Sequence, residues 1–498
     1  MAIVTEAMRR GSGSERCDVA VVGAGLPGLV AASVLARAGA RVVLVDAARR
    51  PGGRLQTISH QGFAIDASPP LWDADGLREA LAAAGVAAPT LAPVVARRDV
   101  YAAVVEGGGV RGGAHPLLVP GTVPSPVELD AVGSLLGVKP RTWAALGEAC
   151  AELVATGEGA PGDPSSTTSS LASWASTRSL EAPVSAALLR CAEIHGALDP
   201  ARADVRRVAH LFRRAASGDA THVVPAEHAV AGTRAIVQEL VDAAVAAGVE
   251  TRLGTRALAV VVERGRVGGL VLQREELPFL STLGAGRVVL ALSPAEASSL
   301  LPADAGAPAV PRPAGSVLGF AFGLRSAPWA DDAPPPLRLV GPALSRGSLP
   351  SPGSPASPIL LSAPQAHAPG VAPPGQGLLL AHATVPGDRL DPGEASRLGL
   401  LLRSVVIDLH PDVEIAWERS WFRSGEALDP FAEPPWPESL PAVKGLRFAG
   451  WGVRLARCVT SGPSAAAASA VDAARATWSG EERGADDAVS LGRPPLTG

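Results

Sequence analysis

The hydrophobic pattern opens with an almost unbroken apolar run over residues 17–22 that ends in Gly23, Gly25 and Gly28. An Ala-rich stretch with helical spacing follows to about Gly39, and a second apolar run over 41–45 stops at Asp46. Short continuous apolar runs between turn signals predict strands buried on both faces, so this region reads as a strand–turn–helix–strand unit. Strand patterning returns at 250–253, 257–263, 267–272 and 287–292, after a helix predicted over 234–247. Between these regions, 75–85 reads as a short amphipathic helix, and Leu/Ala-rich stretches at 146–155 and 185–198 predict further helices. A strand-like run at 316–324 and an apparent strand carrying Trp417 and Trp421 follow. A last apolar strand over 446–450 leads into an Ala-rich helix that ends near Trp478.

The first unit carries chemistry as well as structure. Gly23 lets the chain turn tightly out of its strand, Gly25 lets the backbone approach a pyrophosphate, and Gly28 lets helix and strand pack closely. The free N–H groups and the positive end of the helix dipole then face the phosphates. Asp46 stands 18 residues after Gly28, at the spacing of a carboxylate that binds a ribose hydroxyl. A dinucleotide is therefore the expected ligand.

Pro51, Gly52, Gly53, Arg54 and Thr57, then Gly62, Phe63 and Asp66, resemble the second signature of the FAD-containing superfamily that includes flavin amine oxidases and phytoene-desaturase-type enzymes. The resemblance implies FAD rather than NAD. It places Gly23, Ala24, Gly25, Leu26, Pro27 and Gly28 at the phosphate turn, Asp46 and Ala47 at the adenosine ribose, and Gly52, Gly53 and Arg54 along the pyrophosphate. The elements from Val223 to 292 resemble the family's middle segment, whose adenine-contacting backbone position falls at or beside Ala257. The closing strand and helix, with Gly450, Trp451, Ser461 and Gly462, resemble the third segment, which faces the flavin. The chain departs from the family pattern at Ala48, Ser68 and Trp451, where the family often carries Arg, Gly and an acid. Trp451 is read either as a wall beside the flavin ring or as a core residue. Cys458 does not match the family's usual attachment cysteine, so the FAD is expected to be bound non-covalently.

The implied fold is α/β, a Rossmann-type FAD-binding domain assembled from three segments (15–85, 222–302 and 441–478) with an inserted mixed substrate or cap domain. The insertions are 86–221, expected to be mainly helical, and 303–440; residues 479–498 read as a polar tail.

Composition narrows the functional classes. Hydrophobic residues make up 47% and charged residues 18% of 498, the balance of a globular protein, and the net charge of −4 without a basic run gives no footprint for nucleic acid. Four scattered cysteines point to a reducing, cytoplasmic setting. The longest uncharged stretch is crowded with prolines, so no transmembrane segment is expected, while peripheral membrane contact stays open. No metal site is expected: none of the nine histidines has a paired ligand spacing, and His222 and His228 read as structural.

The resemblance implies an FAD-dependent oxidoreductase that dehydrogenates or reduces an apolar small molecule by hydride transfer involving flavin N5, in the manner of phytoene desaturases. Two alternatives stay open: an amine oxidase acting on a C–N bond, and a non-redox flavin-dependent isomerase. Only Lys139 and Lys444 are lysines, which weighs against the amine oxidase, since many of those enzymes place a lysine near the flavin. No catalytic acid or base is assigned, and the oligomeric state is not read.

Overall fold

The structure is a computed structural model that describes residues 15–68, 72–73, 77–87, 91–93, 100–106, 109–117, 139–156, 170–194, 199–209, 226–229, 232–275, 279–308, 310, 315–327, 337–340, 359–366, 368–385, 389, 391–427, 436–450, 453 and 463–479.

The chain begins with strand β1 (Glu15–Val22), helix α1 (Leu26–Arg37) and strand β2 (Val42–Val45), followed by the hairpin β3 (Thr57–His60) and β4 (Phe63–Asp66). Strand β5 (Trp72–Asp73), helix α2 (Leu77–Ala84), strand β6 (Leu91–Pro93) and a second hairpin, β7 (Val100–Glu106) and β8 (Gly109–Leu117), come next. Strands β6, β7 and β8 stand at the start of the stretch 86–221, expected to be mainly helical, and they correct that expectation for its first part. Helices α3 (Pro140–Thr156), α4 (Leu171–Thr177) and α5 (Ala182–Ile194) then form a unit with its own core, including Leu146, Leu153, Trp174 and Leu188.

The middle of the chain supplies β9 (Ala226–Ala229), α6 (Thr233–Ala246), β10 (Glu250–Arg252), β11 (Thr255–Glu263), β12 (Arg266–Arg274), β13 (Leu280–Leu290) and α7 (Pro294–Ser299). The last third supplies β14 (Gly315–Leu324), β15 (Leu337–Val340), β16 (Ile359–Ser362), β17 (Gly377–Val385), α8 (Pro392–Leu409), β18 (Ile415–Ala427), β19 (Leu446–Phe448) and α9 (Pro463–Trp478).

Two seven-stranded sheets organise these elements. The first runs β10-β2-β1-β13-β12-β11, with β19 beside β13, so its strands come from residues 15–45, 250–290 and 446–448. Its centre is parallel, and β1 and β2 are apolar on both faces because layers cover both sides. Helices α1, α2, α6 and α9 pack their apolar residues on one face. The other face packs against α7 and the segment that carries Trp436, Leu440 and Val443. Strand β13 is longer than the sequence pattern predicts because it serves two pairings. One edge runs antiparallel to β12 over 280–284 and then parallel to β19 over 288–290, while the other edge runs parallel to β1 over 283–290.

The second sheet runs β18-β14-β17-β16-β15-β7-β8 and draws on both insertions, since β7 pairs in parallel with β15. Alternation along β14 and β17 sends Leu318, Phe320, Phe322, Leu379 and Ala381 to a face covered by α8. The opposite face carries Ala321, Leu378 and Leu380 and packs against Phe63, Ala64 and Ile65 of the β4 hairpin. Each Leu, Ile or Phe side chain so removed from water contributes about 1.5–3 kcal/mol. That apolar seam fixes the second sheet onto the chain segment that leaves the glycine-rich turn.

Candidate cofactor site and substrate face

The glycine-rich turn follows from contacts that leave no room for side chains. A Cβ at Gly28 would lie 1.6 Å from the Gly23 carbonyl oxygen, so only glycine lets α1 rest on the end of β1. Gly25 is the N-cap of α1 with no side-chain cap, and Pro27 stands in the first turn, which needs no N–H there. The free N–H groups of this helix end therefore face outward for a ligand.

The second glycine motif docks on the first. The Gly52 N–H donates to the Ala24 carbonyl at 2.8 Å, Gly25 and Gly52 form a bridge, and a Cβ on Gly53 would lie 3.1 Å from the Gly25 Cα. The structure thus brings Gly23, Ala24, Gly25, Leu26, Pro27 and Gly28 together with Gly52, Gly53 and Arg54 in one cradle. At the end of β2, Asp46 accepts from the Ala24 N–H at 2.5 Å and from the Ala48 N–H at 2.7 Å. A carboxylate offers about four lone-pair sites, so two remain for ribose hydroxyls. Ala47 beside it is exposed. The Asp46 carbonyl accepts from Thr255 N–H at 2.8 Å, which ties the start of β11, and Ala257 two residues on, to the same corner.

The third segment reaches this corner through Gly450. Its N–H donates to the buried Ser469 hydroxyl at 2.7 Å, and a Cβ there would lie 3.9 Å from Pro27 Cγ. Trp451, Ser461 and Gly462 lie outside the described residues, as do Cys458, His222 and the polar tail beyond Ser479.

Several residues that the sequence reading did not assign hold the two sheets in register. Asp66, fully buried at the end of β4, accepts from Thr233 N–H at 3.0 Å, from Thr233 Oγ1 at 2.7 Å and from Thr57 Oγ1 at 2.9 Å, and so caps the start of α6. From the second sheet, His382 Nε2 lies 3.3 Å from the Asp66 carbonyl, Trp421 Nε1 donates to the Ala67 carbonyl at 3.0 Å, and Arg423 donates to the Arg54 carbonyl at 2.9 Å. Ser68, one of the departures from the family pattern, donates its hydroxyl to that same Arg54 carbonyl at 2.9 Å. The signal for this seam was present in β18: Trp417, Arg419, Trp421 and Arg423 alternate, so one face carries all four.

Cross-strand pairing orders the face that meets the cradle. One row reads Trp421–Gly319–His382–Leu360, and the next reads Arg423–Val317–Thr384. A Cβ at Gly319 would lie 2.1 Å from the Trp421 ring, so the indole lies flat over the glycine. Val317, Leu360 and Thr384 stay half-buried. Burial lowers the pKa of His382 from its ordinary 6.5 to about 4, so the ring is neutral near pH 7. Both lysines are exposed elsewhere: Lys139 precedes α3 and Lys444 bridges to Arg266 ahead of β19. Among the described residues no helix is long and apolar enough to cross a membrane, and no group of His, Cys, Asp and Glu could hold a metal ion.

Comparison with known proteins places this arrangement. Residues 21–81 match the family model of the NAD(P)-binding Rossmann-like domain. Over 51 residues, the chain is 49% identical to the hydroxyneurosporene desaturase of Cereibacter sphaeroides, a match that spans 10% of each protein. Two solved structures share the fold: an oxidoreductase from Methanosarcina mazei (TM-score 0.60, 16% identity, 91% of this chain and 99% of that one) and cyclohexylamine oxidase from Brevibacterium oxydans (TM-score 0.59, 16% identity, 92% and 98%). Residues 178–469, more than half of the chain, match the model of the flavin containing amine oxidoreductases. The chain belongs to the flavin containing amine oxidoreductase family, a family of FAD-dependent oxidoreductases.

Proposed function

We propose that this protein is an FAD-dependent dehydrogenase or desaturase of an apolar small molecule, with the FAD held non-covalently between the glycine cradle and the second sheet. The cradle fits the cofactor on its own geometry: a Gly25–Gly53 approach that side chains would fill, an uncapped helix end for phosphates, and a carboxylate at Asp46 with lone pairs to spare. In this reading Asp46 and Ala47 take the adenosine ribose and Ala257 the adenine. Gly52, Gly53 and Arg54 line the pyrophosphate, and Gly450, Trp451, Ser461 and Gly462 face the flavin.

Bound FAD supplies a ring that accepts a hydride at N5. The chain's contribution is placement and a dry surface. Val317, Leu360 and the Trp421 ring present an apolar wall on the side of the cradle, and the Trp421 and His382 hydrogen bonds to the Ala67 and Asp66 carbonyls keep that wall at a fixed distance from it.

One observation carries the choice of an apolar substrate. Among the described residues that β14, β16, β17 and β18 present on the face toward the cradle there is no carboxylate and no lysine, His382 is neutral, and the charged groups, Arg419 and Arg423, are both cations. Such a face repels an ammonium group and offers it no counter-ion. The 51-residue identity with a desaturase favours the same reading. The test is anaerobic mixing of the purified flavoprotein with a polyene hydrocarbon in detergent and with primary amines. Bleaching of the oxidised flavin by the hydrocarbon supports the proposal, and bleaching by the amines alone refutes it.

A further inference from the structure

The Arg54 carbonyl receives two hydrogen bonds from side chains far apart in sequence, Ser68 Oγ and Arg423 Nη1, both at 2.9 Å. A carbonyl oxygen has two lone pairs, so this one is fully used. Its peptide belongs to a loop that Leu55 N–H closes on the Gly52 carbonyl at 2.9 Å and whose other side is fixed to the glycine-rich turn by Gly52 N–H to the Ala24 carbonyl at 2.8 Å. The Gly52-Gly53-Arg54 loop is therefore held from both sides, by the first sheet's turn and by a cation from the second sheet. Charge-assisted bonds of this sort are the stronger class, and two donors on one carbonyl fix its direction better than either alone.

We propose that Arg423 and Ser68 are cofactor-positioning residues: together they set the plane of the Arg54 peptide so that the loop fits a dinucleotide pyrophosphate, with Arg423 adding a positive charge on that side. Ser68 stands where the family often has glycine, and in this chain its hydroxyl is one half of the clamp. Arg423 sits in the row beside Trp421, so the same residue joins the substrate-facing strand to the phosphate loop. FAD affinity and the seating of the second sheet are then linked, each strengthening the other.

The test is titration of FAD into apo-protein carrying Arg423→Gln, Arg423→Lys or Ser68→Ala, with the melting temperature measured with and without FAD. Arg403→Gln, at a surface ion pair with Glu418, is the control. Loss of a charge-assisted bond predicts that Arg423→Gln weakens FAD binding roughly 10-fold or more, that lysine recovers part of this, and that Ser68→Ala has a smaller effect of the same sign. The rise in melting temperature on adding FAD should shrink in the same order. A purely structural role would lower the melting temperatures of apo- and FAD-bound protein alike and leave the affinity unchanged. FAD binding within about twofold of wild type in Ser68→Ala and in whichever Arg423 variant folds overturns the proposal.

Discussion

His382 ties the stability of this fold to pH in a calculable way. Its side chain lies on β17, 4% exposed, with Nε2 against the Asp66 carbonyl and Nδ1 buried without a partner. Burial lowers its pKa from 6.5 to about 4. A histidine whose folded pKa lies below its unfolded one leaves the unfolded chain binding more protons between the two values. Stability from this group is therefore complete above about pH 6.5 and falls as pH drops toward about 4. The shift predicts a loss of about 2 kcal/mol between about pH 7.5 and pH 5. The perturbation is His382→Gln, which removes the titration while keeping an amide that can reach the Asp66 carbonyl. The assay is urea unfolding of wild type and variant at both pH values with FAD in fixed excess. Wild type should lose about 2 kcal/mol more than the variant over this interval, whatever the two differ by at neutral pH. His410, whose pKa burial also lowers, contributes equally to both and cancels. Equal pH slopes for the two proteins would show that His382 is not held neutral by burial, and the description of the substrate face would lose its neutral histidine.

The remaining predictions concern the cradle. Gly28→Ala, which would set a Cβ 1.6 Å from the Gly23 oxygen, should yield protein without flavin colour, and a yellow variant with normal affinity would contradict the assigned packing. Asp46→Ala removes the acceptor for the Ala24 and Ala48 N–H groups and the ribose; FAD affinity should fall by about 1.5–3 kcal/mol in a fluorescence titration, and an unchanged value would remove Asp46 from the site. Acid precipitation should leave the flavin in the supernatant, whereas flavin that stays with the pellet would show a covalent bond.

The parts of the fold legible in the sequence are those set by local pattern. The run into Gly23, Gly25 and Gly28 is readable because each glycine answers to a steric need within one turn, and Asp46 because it ends the next strand at a fixed spacing. Boundaries such as Thr233–Ala246 differ from the reading by a residue. The β7–β8 hairpin was not legible, because residues 100–106 become a strand through pairing with β15, more than two hundred residues away. The seam was hidden for a related reason. Nothing local marks Asp66 as the cap of α6, His382 as a buried neutral ring or Ser68 as a donor to Arg54, since each role depends on a partner from another segment. The alternation of Trp and Arg in β18 was visible, but the face it covers was not.

The most direct test of the central claim is the anaerobic absorbance of the bound flavin after addition of a primary amine or a polyamine. Hydride transfer from an amine requires the neutral amine beside the ring, and among the described residues β14, β16, β17 and β18 present arginines toward the cradle and no carboxylate to gather the ammonium. The account predicts that the oxidised flavin spectrum persists with amines and bleaches with an apolar donor. Rapid, stoichiometric bleaching by a simple amine would contradict it and make this chain an amine oxidase.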